Sequence, residues 1–263
     1  MNNRLENKFK ALRKSGRKAL VIYVTVGNPG VSATERIVKT LSSSGADIIE
    51  LGMPFSDPIA DGPVIQASSF KALEHGVDYA KFLALVKRLR RQIDTPLVVM
   101  TYYNVLFHRG KELFHELSSA GVDGLIVPDL PLEENRGFSV QAARCGLAFI
   151  QMVTPTTPEK RAKDICRKSR GFVYVVTLTG VTGAKNGLPA ELLGNLQKLR
   201  KCTDKPLCIG FGISKPEHVL SVKKYIDGVI IGSAVIKIIN KYGDTRKLYP
   251  ALSRYINKMK AVL

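Results

Sequence analysis

Tryptophan is absent from the 263 residues, and the other aromatics are few, ten Phe and nine Tyr. With no recognised nucleic-acid motif beside its basic residues, the chain offers little for stacking on bases. Only four cysteines occur, Cys145, Cys166, Cys202 and Cys208, with no CxxC spacing and no His at ligand distance in sequence. That pattern excludes a zinc module and a disulfide scaffold, and it fits reduced thiols. No apolar run reaches the ~20 residues that span a bilayer, and the opening MNNRLENKFKALRKSGRK lacks the continuous apolar stretch of a secretion signal. The expectation is a soluble, cytoplasmic protein. Neither GxGxxG nor GxxxxGK[ST] is present, and no Ser/His/Asp arrangement offers a covalent nucleophile.

Acidic residues are also scarce. Against 40 Lys and Arg stand 22 Asp and Glu, a formal net charge of +18, which by itself suggests nucleic acid, an anionic surface or an anionic small molecule. The excess is unevenly spread. Residues 1–18 and 235–263 each carry seven basic residues and one acidic one, whereas residues 51–60 carry no basic residue at all.

What the chain does have is repetition. Short apolar, β-branched runs recur about every 30 residues, at 19–25, 46–51, 96–102, 123–128, 147–153, 171–177, 206–211 and 227–232. Amphipathic helical segments lie between them. Most runs show no polar alternation, as expected of parallel strands covered on both faces. Pro158 is expected at the first position of one helix, and Gly121 and Gly146 at the C-caps of two others. Eight strand-then-helix units predict a (β/α)8 TIM barrel with an extra N-terminal helix. No Pro-, Ser- or Gly-rich linker interrupts it, so residues 1–263 read as one domain. An open doubly wound sheet is the competing architecture, but it more often has five or six strands.

Chemistry in such a barrel sits at the C-terminal ends of the strands. Glu50 ends an otherwise apolar run, where desolvation would raise its pKa and suit it to proton transfer; pairing with a basic residue is the alternative. The loop GMPFSDPIADGP is longer than a plain connection and holds Asp57 and Asp61. Asp61 either shares proton and charge chemistry with Glu50 or simply caps the helix that starts near Pro63. The Gly- and Thr-rich loop LTGVTGAKNGLP is long enough for a lid. GFGIS and GSA follow the seventh and eighth strands, where Gly212, Gly232 and Ser233 favour a phosphate site. The tyrosines at 102 and 103 line an apolar pocket or cap the core, and the four histidines read as surface or capping residues.

These phrases together resemble the alpha subunit family of tryptophan synthase. ELGMPFSDPIADGP at 50–63 matches the family's most specific phrase, and TYYN at 101–104, PDLP at 128–131, GVTG at 180–183, GFGIS at 210–214 and GSA at 232–234 follow in its order and spacing. The resemblance implies retro-aldol cleavage of indole-3-glycerol phosphate to indole and glyceraldehyde 3-phosphate. It gives Glu50 the acid/base role and Asp61 the stabilisation of charge at the indole nitrogen. Thr182 becomes the lid residue, and Gly183, Gly212, Gly232 and Ser233 the phosphate site. Tyr23, Tyr102, Ile126, Met152, Tyr174 and Phe211 line the indole pocket.

The resemblance further implies an αββα heterotetramer in which indole passes to a pyridoxal-phosphate β subunit, with Pro54, Asp57, Asn104 and Phe107 toward that partner. The alpha chain itself would need neither cofactor nor metal. Three departures stand out: Asn28 in GNPG where the family usually has Asp, Tyr23 where Phe is common, and PLEE where PPEE is frequent. A non-catalytic activating subunit and a lyase working without a β partner remain alternatives to the coupled enzyme, and a nucleic-acid binder is the reading that composition suggests.

Overall fold

Ala19–Thr25 is buried at all seven positions, which a strand achieves only with a packed interior on one side and helices on the other. The computed structural model describes residues 3–154, 156–176, 190–210 and 212–263. Eight parallel strands close into a barrel in chain order: β1 (Ala19–Thr25), β2 (Ile48–Gly52), β3 (Leu97–Met100), β4 (Gly124–Ile126), β5 (Ala148–Val153), β6 (Val173–Val176), β7 (Leu207–Gly210) and β8 (Gly228–Ile231). Around them run α1 (Arg4–Lys14), α2 (Val31–Ser43), α3 (Pro63–Glu74), α4 (Tyr79–Arg90), α5 (Tyr103–Arg109), α6 (Glu112–Ala120), α7 (Arg136–Arg144), α8 (Glu159–Lys168), α9 (Ala190–Cys202), α10 (Pro216–Val222), α11 (Ser233–Tyr242) and α12 (Leu248–Lys260). Seven predicted runs contain their strands, and β2 ends one residue beyond its run, at Gly52; the TIM barrel holds and the open sheet does not.

Register decides which side chains meet. Tyr23 on β1 stands beside Glu50 on β2, which in turn stands beside Val98 on β3. Because side chains alternate along a strand, this row turns inward together.

Three aspartates that precede strands hold the barrel floor. Asp47 accepts the Leu20 amide at 2.8 Å, Asp123 the Leu97 amide at 2.9 Å and Asp227 the Leu207 amide at 2.9 Å, each reaching the first turn of a neighbouring strand. Each carboxylate is also paired with a cation from a helix: Lys260 on Asp47, Arg90 at 2.9 Å on Asp123 and Arg200 at 2.9 Å on Asp227. A charge taken out of water is tolerated when it is both paired and hydrogen-bonded. Arg90 also fills the space that a side chain at residue 121 would need. A Cβ there would lie 2.4 Å from Arg90 Cγ, and Gly121 caps α6 at φ +93°.

The basic terminal segments form helices at the N-terminal end and on the outer wall of the barrel. Asn3 caps α1 by accepting the Leu5 and Glu6 amides, and its Nδ2 donates to Asp123 O at 2.8 Å and Gly146 O at 2.9 Å, fixing the helix across the N-terminal end of the barrel. Leu5, Phe9 and Leu12 are buried on one face. At ~1.5–3 kcal/mol for each large side chain, they stabilise an 11-residue helix that would be marginal alone. On the outer wall, α12 buries Leu248, Leu252, Ile256 and Met259 against its neighbours, which include α2 and α11. Two cap assignments shift by one residue. Pro158 is the N-cap of α8 rather than its first helical residue, and Cys145 caps α7 with Gly146 following at φ +77°.

Candidate active site

Glu50 sits on the inward row near the C-terminal end of β2, and only 1% of it is exposed. Neither carboxylate oxygen has a hydrogen-bond partner among the described residues. Leaving a buried polar group without a partner is costly, and the ion-pair alternative for Glu50 is therefore not realised. Burial, with a further contribution from the charge of Asp61, pushes its carboxyl up to about 8.

Asp61 is not a helix cap. Gly62 occupies the N-cap of α3, and no side chain caps that helix. Instead Asp61 Oδ2 accepts the Tyr102 hydroxyl at 2.8 Å. Tyr102 Oη in turn accepts the Ala60 amide at 3.3 Å, and its ring stacks on Phe55 at 5.1 Å between centroids. One tyrosine at the end of β3 thus organises both arms of the loop after β2. Burial raises the Asp61 carboxyl to about 6 against the opposing effect of the Tyr102 hydrogen bond.

Glu50 and Asp61 line a cavity of about 470 Å³ at the C-terminal mouth, a size suited to a small-molecule ligand. Tyr23, Met152 and Tyr174 share its wall, and Gly212, Gly232 and Ser233 close its other end. The Tyr23 hydroxyl does not project into free space. It folds over β2, where a Cβ at Gly52 would lie 2.1 Å from it, and Thr25 Oγ1 donates to it at 3.4 Å. Tyr174 lies over Gly210 in the same way, 2.5 Å from where a Cβ would be. Burial holds both phenols well above their ordinary range, so both stay neutral.

At the opposite end, Gly232 is the N-cap of α11 and Ser233 its first residue, with no side chain spent on the cap. The free amides of that helix start therefore face the cavity's polar end. Gly212 takes φ +83°, a conformation that L side chains rarely adopt, and His218 Nδ1 lies 3.2 Å from its carbonyl oxygen.

Some expected residues lie elsewhere. Ile126 is fully buried and pairs with Ile150 and with Met100, which lines the cavity. Tyr102 stands behind Asp61 and does not line the cavity. Pro54 is buried by its own chain, whereas Asp57, Asn104 and Phe107 are exposed. Thr182, Gly183 and Phe211 lie outside the described residues. Sequence reasoning passed over Lys215, Lys237 and Tyr255, which line the cavity beside Gly212 and Ser233. The two lysines follow the GFGIS and GSA phrases by one and three residues, the available signal.

The family model described as tryptophan synthase alpha chain matches residues 9–263. The chain belongs to the tryptophan synthase alpha chain family. It is similar to the tryptophan synthase alpha chain of Carboxydothermus hydrogenoformans, with 43% identity over 265 aligned residues covering 99% of each chain. Among solved structures, tryptophan synthase subunit alpha from Legionella pneumophila is 34% identical, with a TM-score of 0.91 over 100% of this chain and 98% of the other. A chain from the tryptophan synthase a2b2 complex of Pyrococcus furiosus is 36% identical, with a TM-score of 0.84 over 92% of this chain and 97% of that one.

Two departures from the usual tryptophan synthase alpha chain pattern have a structural setting here. Asn28 is 3% exposed and donates through Nδ2 to Asn240 Oδ1 at 3.0 Å, tying the first loop to α11 through a bond that an aspartate could not donate. Tyr23 finds room for its hydroxyl over Gly52. Nothing in the structure explains the third, PLEE. Among the described residues of this family member, no helix is long and apolar enough to cross a membrane, and no cluster of His, Cys, Asp and Glu could hold a metal.

Proposed function

We propose that this chain cleaves indole-3-glycerol phosphate to indole and glyceraldehyde 3-phosphate, with Glu50 as acid/base and Asp61 as the electrostatic partner. The observation that carries the reading is the pair itself: a buried carboxyl with no hydrogen-bond partner among the described residues, beside a carboxylate held by Tyr102, in one cavity with a polar end. With Glu50 raised to about 8 and Asp61 to about 6, neutral pH leaves the first protonated and the second ionised. Two carboxyls with their pKa values driven apart divide acid and base work.

The protonated Glu50 gives its proton to C3 of the indole ring, and positive charge develops at the ring nitrogen. The Asp61 carboxylate accepts the N–H hydrogen bond and stabilises that charge, where low dielectric makes it most effective. Glu50, now a carboxylate, takes the proton from the hydroxyl on the adjacent glycerol carbon. The carbon–carbon bond then breaks, its electrons restoring the aromatic ring while the former alcohol becomes the aldehyde. Glu50 ends protonated, as it began. Such acid/base catalysis contributes ~10²–10⁴ in rate.

Gly212, Gly232 and Ser233 would hold the phosphate through backbone amides and a hydroxyl, and Lys215 and Lys237 add positive charge around it. Tyr23, Met152 and Tyr174 would sandwich the indole. Thr182, Gly183 and Phe211 keep the roles that the resemblance implies. The reading assigns no cofactor to this chain.

The β subunit is the proposed partner, in an αββα tetramer with pyridoxal phosphate on the β side, in the cytoplasm. In support, Ile59 and Phe107, in the loop after β2 and on α5 after β3, are 79% and 66% exposed, apolar surface on loops of the mouth end. Asp57 and Asn104 accompany them. Indole release from indole-3-glycerol phosphate, with and without a β subunit, tests the reading. Glu50→Gln and Asp61→Asn are expected to abolish release while the melting transition persists. Retained turnover in either variant removes the role given to that residue.

A further inference from the structure

A second cavity, of about 490 Å³, lies at the other end of the barrel. Its walls are the last two turns of α1, the turn at Gly16–Lys18, and the segments that lead into β6, β7 and β8. Six cations border it, Lys10, Arg13, Arg17, Lys18, Arg170 and Lys205, against three acids, Glu6, Asp204 and Asp227. Asp227 is already committed, since it pairs with Arg200 at 2.9 Å and lies 3.9 Å from Lys18. Lys205 is held in place by donating to Arg167 O and Ser169 O, both at 2.6 Å, and burial draws its ammonium below its ordinary range. The side chains of Lys10, Arg13 and Arg170 make no hydrogen bond or ion pair among the described residues. Phe9, Leu12 and Pro206 supply apolar surface between these charges.

A concave space with apolar walls, bordered by cations that lack acidic partners among the described residues, suits an organic anion. The barrel-mouth chemistry makes no use of this space. We propose that the cavity under α1 binds a small organic polyanion, its charged groups on Arg13, Arg170 and Lys10 and its apolar body against Phe9, Leu12 and Pro206. Such a ligand bridges α1 to the segments before β6 and β7, and by binding only the folded chain it raises apparent stability. A cavity of this volume admits a nucleotide-sized molecule, not a nucleic-acid duplex.

Calorimetric titration of the full chain with ADP, in which a ribose joins a diphosphate to a planar base, tests the proposal, with adenosine as the uncharged comparison. One ADP is expected per chain, with no measurable adenosine binding and weaker affinity at higher salt. Arg13→Glu together with Arg170→Glu is expected to weaken ADP binding at least tenfold. Arg13→Gln with Arg170→Gln carries the same test should charge reversal unfold the chain. Lys39→Glu on the outer wall and Lys237→Glu at the mouth are expected to leave ADP affinity unchanged. The proposal is overturned by absence of saturable binding, by undiminished binding in both paired variants, or by an equal loss in Lys39→Glu, which would reflect net charge alone. Loss confined to Lys237→Glu would put the nucleotide at the mouth and overturn it equally.

Discussion

The Tyr102 hydroxyl donates to Asp61 Oδ2 at 2.8 Å while accepting the Ala60 amide at 3.3 Å, so one side chain sets both the position and the charge of the second carboxylate. Tyr102→Phe removes the bond that favours the ionised form, and the Asp61 carboxyl then rises above about 6. The expected result is an acid limb of the kcat/KM profile displaced to higher pH, with roughly tenfold lower activity at pH 6 and much of it regained at pH 8. A uniform loss across the profile would mean that Tyr102 only packs.

The pH–rate profile of the unmodified chain is expected to be bell-shaped. Asp61 must be ionised, so activity falls as pH drops through about 6; Glu50 must start protonated, so activity falls again as pH rises through about 8. Single-turnover indole release across pH 5–9 measures both limbs. A profile flat to pH 9 would contradict the assigned protonation state of Glu50.

Glu50 should weaken the fold that it serves. Its pKa rises from 4.5 to about 8 on folding, so the folded chain binds the extra proton between those values. Stability is then unaffected below the lower value and lost as pH climbs toward the upper one, at ~1.4 kcal/mol per unit. Glu50→Gln removes that penalty. Denaturant unfolding at pH 9 against pH 4 is expected to show a gain on the order of 3–5 kcal/mol for the variant at the higher pH, alongside its loss of turnover. An equal effect at both pH values would show that Glu50 is not the titrating group.

Gly52 and Tyr23 are expected to be coupled. Gly52→Ala drives a methyl group to 2.1 Å from the Tyr23 hydroxyl and 2.5 Å from Cζ, inside a barrel that cannot yield easily. Overpacking of this kind costs ~1–3 kcal/mol. Tyr23→Leu shortens the side chain and should recover most of that loss when combined with Gly52→Ala. A double-mutant cycle read by urea unfolding measures the coupling, and strict additivity would contradict the contact.

How far the sequence could be read differed from residue to residue. Strands such as Ile48–Gly52 and Leu207–Gly210 were legible because burial on both faces leaves uninterrupted apolar runs, and the loops that follow them were legible as the mouth. The alternatives for Asp61 were not separable, since cap and carboxylate partner demand the same residue beside Pro63, and only Tyr102 arriving from β3 decides between them. The resemblance set Pro54 toward the partner, and in this chain it is buried. The floor aspartates Asp47, Asp123 and Asp227 drew no attention, because their partners Lys260, Arg90 and Arg200 lie 27 to 213 residues away in the chain.

The sequence alone determined the barrel and the places of its eight strands to within a residue or two, and it singled out Glu50 and Asp61 as candidates, because periodicity and the ELGMPFSDPIADGP phrase are local. It also located the positive charge at the two chain ends. Tertiary structure alone decided that Glu50 has no hydrogen-bond partner among the described residues, that Asp61 belongs to Tyr102, that the Tyr23 hydroxyl rests over Gly52, and that a cavity opens at the basic N-terminal end. Each of these depends on which groups meet across the closed sheet or under α1. Desolvation and hydrogen bonding, which set the pKa values and hence the chemistry, exist only once those distant segments are packed together.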